Sequence, residues 1–212
     1  RGAAWGGAAD GDVAVFHLLL ADSAFSRVQK EGVAATASLV LNSAPQVGNL
    51  LVASVGYISV DPATEVTGWN EIVPDGSTDS DVRVALYWRE VDEDTPSAID
   101  LGLGVPEATI LGMSVEEWTG FDGQPSIAGT TFHAEEDDAN QISAIYTTAA
   151  ADRVTFTAIA LAPTPLTIIA PEGEGFVSAD PVVSIALADS TVPPGYPRMV
   201  GYFWGPSPSD AA

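Results

Sequence analysis

Two adjacent glutamates, Glu116 and Glu117, stand beside Trp118 in a 212-residue chain that has only two histidines, His17 and His133, and no cysteine. Paired carboxylates next to an aromatic ring suggest glycoside hydrolysis, in which two acids flank a sugar at about 5–10 Å. Neighbouring residues of a regular strand point to opposite faces, however, so Glu116 and Glu117 cannot share one cleft if the segment is a strand. Their expected setting is a sheet edge or solvent. Nucleophilic hydrolysis needs a base beside the nucleophile. Gly112-Met113-Ser114 begins a nucleophile-elbow pattern, but position 116 is glutamate where the pattern requires glycine. His17 lies in an apolar run and reads as a strand residue with a satisfied hydrogen bond. The absence of cysteine removes disulfides, thiolate metal sites and cysteine nucleophiles together. No catalytic constellation emerges, and the expectation is a protein that is not an enzyme.

Three further groups could bind a ligand. Asp75, Asp79 and Asp81 in the run DGSTDSD place oxygen ligands at alternate positions, a spacing that suits Ca²⁺. The run lacks the central glycine and the final bidentate glutamate of an EF-hand. Glu135–Asp138 is a second acidic cluster. Solvated turns account for both, with Ca²⁺ the alternative at Asp75, Asp79 and Asp81. Trp69, Trp88 and Trp118 fall within strand-like segments and are expected to pack in the core or between sheets. Tyr196, Tyr202, Phe203 and Trp204 form the better surface candidate. They would contact either a carbohydrate or a partner subunit.

The elements that must position these residues read as short strands. Val82, Val84, Leu86 and Trp88 alternate with Arg83, Ala85, Tyr87 and Arg89, so each set takes one face of a strand. Leu50–Val60 is apolar on both faces, as in a strand buried between two layers. Further strand-like runs are Asp12–Ala21, Val33–Leu41, Trp69–Val73, Ala98–Leu103, Ala108–Thr119, Ser126–Phe132, Gln141–Thr147, Arg153–Leu161, Leu166–Ala170, Pro181–Leu187 and Met199–Trp204. Turn residues separate them at intervals typical of a sandwich or barrel. Asp22–Glu31 could form one helical turn, but no window sustains a three-turn helical period. The fold class is therefore all-β: an antiparallel β-sandwich, jelly-roll-like, with little or no helix. Arg1–Gly11 reads as a flexible Gly/Ala-rich lead-in, and residues 12–212 as a single domain with an extended segment from about Pro193.

Charge narrows the partners. There are 29 acidic against 7 basic residues, a formal net charge of −22, and Lys30 is the only lysine. Binding to nucleic acid or anionic lipid relies on Lys and Arg displacing counterions, so neither partner is expected. A salty milieu would screen the self-repulsion. A marine or halophilic source fits, and so does an acidic, alanine-rich protein from a GC-rich genome. At 46% hydrophobic residues the chain is too apolar for acidic disorder. No apolar run approaches the ~20 residues of a membrane helix. Phe16–Ala21 is too short for a signal-peptide core. The chain begins at Arg1 without methionine, which fits a processed or partial product.

The order GNLLVASV, GW, VALYWREV, SVEEWTGFDG resembles a jelly-roll-like β-sandwich module of tailed-bacteriophage virion proteins and some bacterial surface proteins. In those sequences a GDLLVA strand precedes a GW hairpin, a YWK/R-x-A strand and a strand ending W-x-G. Here Glu90-Val91 stands where Val-Ala is commoner, which leaves the framework intact. The similarity covers roughly residues 12–161. It implies a structural or adhesive component on the virion surface, such as a fibre, spike or decoration subunit. The implied partners are other virion subunits, a homo-oligomer among them, and a host surface glycan, with no cofactor. The alternative is a secreted or cell-surface carbohydrate-binding module of a marine or halophilic microbe.

Overall fold

The computed structural model describes residues 9–19, 26–73, 82–105, 107–120, 126–127, 132–139, 141–147, 153–162, 166–169, 177–179, 182–188 and 197–206, with side-chain surroundings for 26–71, 82–105 and 107–120. These residues contain strands and no helix, and every paired strand is antiparallel. The protein is all-β.

One five-stranded sheet holds most of the described core. Its strands are β2 (Ser26–Ala34), β4 (Leu50–Ile58), β5 (Asn70–Val73), β6 (Val82–Glu90) and β8 (Thr109–Thr119), in the order β2-β8-β4-β6-β5. The expected burial of β4 on both faces is observed: Leu50 to Tyr57 are all buried. One face forms a cluster of Leu51, Ala53, Val55 and Tyr57 with Ala85, Tyr87, Met113 and Val115. The short pair β3 (Ser38–Val40) and β7 (Ala98–Asp100) adds Leu39 and Ile99 to that cluster, and the following loop adds Leu101 and Leu103. The opposite face, with Leu50, Val52, Val84 and Leu86, is buried as well. Fully burying one such aliphatic side chain contributes about 1.5–3 kcal/mol, so both faces of β4 resist opening.

A six-stranded sheet contains β1 (Ala9–Leu19), β9 (Ser126–Ile127), β10 (Phe132–Ala139), β12 (Arg153–Ala162), β14 (Val177–Ala179) and β15 (Val182–Ala188). Strand β1 approaches β5 and β6, β12 approaches β4 and β6, and β14 and β15 approach β8. A three-stranded sheet, β11-β16-β13, joins Gln141–Thr147, Pro197–Pro206 and Leu166–Ile169.

Two turns show why the sequence carries glycine before β4 and β5. Asn49 donates its backbone N–H to Gln46 across Val47-Gly48, and Trp69 donates to Val66 across Thr67-Gly68. The third residue of each turn has positive φ, 87° at Gly48 and 80° at Gly68. A type II turn requires that conformation at its third position, and glycine adopts it without steric cost.

Three expectations change. Asp22–Glu31 does not give a helical turn over its second half, because Ser26–Ala34 is strand β2, paired along its length with β8. The segment carries no apolar stripe of its own, and pairing with β8 decides the outcome. The Glu135–Asp138 cluster is not a turn but part of β10, where Glu135 and Glu136 lie opposite Asp12 and Gly11. Strand β1 begins at Ala9, inside the segment expected to be a flexible lead-in.

Candidate functional site

Strand β8 carries GMSVEEWT through the middle of the five-stranded sheet, and seven consecutive residues from Gly112 to Trp118 are buried. Glu116 and Glu117 are buried with them, at 1% and 0% exposure. The expected sheet-edge or solvent setting is therefore wrong. Pairing with β4 on one side and β2 on the other leaves β8 no free edge, so its acidic side chains are carried inside on both faces. The expected separation to opposite faces holds. Glu116 shares its position across the sheet with Lys30 and Val52, Glu117 with Gln29 and Leu51.

Each carboxylate is met by donors. Lys30 Nζ lies 2.8 Å from Glu116 Oε1, with both side chains almost fully enclosed. Trp118 Nε1–H donates to Glu116 Oε2 at 3.1 Å, and Arg27 Nη1 stands 3.9 Å from the same oxygen. The Arg27 guanidinium also lies 6.0 Å from the centre of the Trp118 ring, a cation–π distance. On the other face Glu117 Oε1 accepts from the backbone N–H of Gln46 at 2.8 Å and from Asn49 Nδ2 at 2.5 Å. Glu117 Oε2 accepts from Gln29 Nε2 at 2.5 Å. The same Gln29 amide exchanges two hydrogen bonds with the backbone of Ser43, which fixes which end of it faces Glu117.

The chemistry of this arrangement is that of a clasp. An ionised carboxylate only accepts hydrogen bonds, and each of the groups named above meets it through an N–H donor. A buried charge without such partners would cost several kcal/mol. Burial pushes the Lys30 amine below its ordinary value, and the Glu116 carboxylate opposes that shift without cancelling it. Neither glutamate presents an oxygen to a cleft where a sugar could lie, and the two act on opposite sides of a sheet.

The remaining candidates separate. Ser114 is buried in mid-strand, paired with Ser54 and Gly32, and forms no nucleophile elbow. Trp69 and Trp118 are buried and Trp88 half-buried, as expected of packing residues. Arg89 lies 5.8 Å from the Trp69 ring centre and reaches Thr95 and Asp92 beyond it. Hydrogen bonding from Thr95, with Arg89 nearby, holds the Asp92 carboxyl below its usual range. Asp75, Asp79, Asp81 and Tyr196 lie outside the described residues. Tyr202, Phe203 and Trp204 fall in β16, opposite Ile142, Gln141 and Ile168. Strand β16 lies between β11, paired with it over Pro197–Phe203, and β13, paired with it over Phe203–Pro206. His17 and His133 lie in β1 and β10, opposite Thr155 and Ala14. Among the described residues no three His, Asp or Glu side chains converge as a metal site would require. No described helix could cross a membrane.

Sequence reasoning missed Gln29, Lys30, Gln46 and Asn49. One signal was present: a lone lysine in a chain of this charge, and a Glu-Glu pair in the middle of an apolar strand, each imply a specific partner. No protein-family model, curated protein or solved structure matches the chain.

Proposed function

We propose that this protein is a non-enzymatic structural or adhesive subunit displayed on the surface of a tailed-phage particle, as a fibre, spike or decoration protein. In this reading the sheets form a jelly-roll-like sandwich that works as a homo-oligomer among other virion subunits. The observation that carries it is the use made of the framework sequence. GNLLVASV, GW, VALYWREV and SVEEWTG supply the turns and strands of one sheet, with β8, β4, β6 and β5 side by side. Glu116 and Glu117 of that framework are spent inside the sheet on the two clasps, and Arg83, just before VALYWREV, binds the carbonyls of Ser59 and Val60 through Nε and Nη2 at 2.7 and 3.1 Å. Such a framework supports display. The approach of the six-stranded sheet to β4, β6 and β8 supports the sandwich.

Mass spectrometry of purified particles tests the reading. The protein should be present in particles at a fixed copy number relative to a capsid or tail protein. Recovery only from culture supernatant, with glycan binding by the free protein, would replace it with a secreted carbohydrate-binding module.

A further inference from the structure

We propose that β2 is a detachable edge strand, able to leave β8 while the β8-β4-β6 core stays folded, with the Glu116 and Glu117 clasps setting how often it does so. The contrast between the two strands motivates this. No residue of β2 is buried as a whole, whereas β8 is buried from Gly112 to Trp118. The only large apolar side chains β2 offers are Val28, exposed at 40%, and Val33, which packs on the core's margin. Its attachment is polar. Lys30 and Arg27 hold Glu116 on one face, and Gln29 holds Glu117 on the other. Glu31 accepts from Asn42, and Gln29 binds Ser43, so the strand is also tied to the segment after β3. The ladder itself is interrupted by a register shift between Arg27 and Gln29. The backbone neighbours of β2 outside this ladder are β3 and β14.

Elements with little buried apolar surface open at lower free energy than the core they rest on. When β2 opens, water reaches Glu116 and Glu117 on the exposed β8 edge. Charges pointing from a bare edge discourage pairing with a foreign strand. The same two residues therefore fasten β2 when it is in place and guard β8 when it is not. Reclosure selects a strand that presents donors at two successive positions, as Gln29-Lys30 does.

Native-state hydrogen exchange of the full chain at neutral pH tests this directly. Protection of amides in β2 should be lower than in β4 and β6 by about tenfold or more, with β2 exchanging as one unit. Lys30→Met should raise β2 exchange further by about threefold or more while leaving β4 and β6 unchanged. Exchange of β2 together with β4 and β6 in the wild-type protein overturns the proposal, whatever the variant does. A folded Lys30→Met protein with unaltered β2 exchange overturns the role of the clasp.

Discussion

At the scale of single residues, the chain uses its rarest side chain in its least hospitable place. Lys30 is enclosed against Glu116, and burial lowers the proton affinity of its amine below the ordinary 10.5 despite the carboxylate's attraction. The unfolded chain then retains a proton at pH values where the folded chain has released it. Below the folded-state value the cost of burying the charge is fully present. It is relieved as pH rises toward 10.5, so Lys30 makes stability increase with pH in that window. Tyrosines titrate nearby, so the measurement is a difference: urea unfolding of the wild-type protein minus that of Lys30→Met, from pH 8 to pH 10.5. The difference should shift steadily toward the wild-type protein. A flat profile, or one that falls, would show that the lysine is not desolvated as the structure has it.

At the scale of elements, the turns before β4 and β5 are fixed by backbone geometry. Gly68 sits at φ 80°, where an added Cβ meets nothing closer than Arg89 Nη1 at 3.9 Å, so the space is open and the conformation is the obstacle. Gly68→Ala should destabilise the protein by about 1–2 kcal/mol. Gly102→Ala, where φ is not positive and a Cβ meets nothing within 4 Å, is the control and should be neutral within about 0.5 kcal/mol. Equal losses in chemical denaturation of the two variants would refute the turn argument. The same elements show what the sequence could tell. Strands β4, β6, β8, β11 and β12 were legible because apolar runs or strict alternation mark them within a residue or two of their ends. Strands β2 and β10 were not. SRVQKEGVA and FHAEEDDA are polar on both faces, and only pairing with β8 and β1 makes them strands. The same limit hid the clasp. Strand alternation placed Glu116 and Glu117 on opposite faces, but their burial depends on β2, which local pattern did not reveal.

At the scale of the whole molecule, a net charge of −22 sets the conditions under which the fold is most stable. Self-repulsion among surface carboxylates falls as the screening length shortens, from about 30 Å at 0.01 M salt to about 3 Å at 1 M. Thermal unfolding temperature should therefore climb with NaCl across that range, most steeply at the low end. A protein indifferent to salt would mean that its acidic groups are too dispersed to repel. The distribution of positive charge has another result. The chain's single ε-amine is that of Lys30, and its side chain is 4% exposed. Amine-reactive reagents should thus find no lysine while β2 is in place and one once it has left β8. Lysine-directed cross-linkers would pass over the protein while β2 is in place, and the extent of Lys30 acylation becomes a direct count of chains in which it has opened.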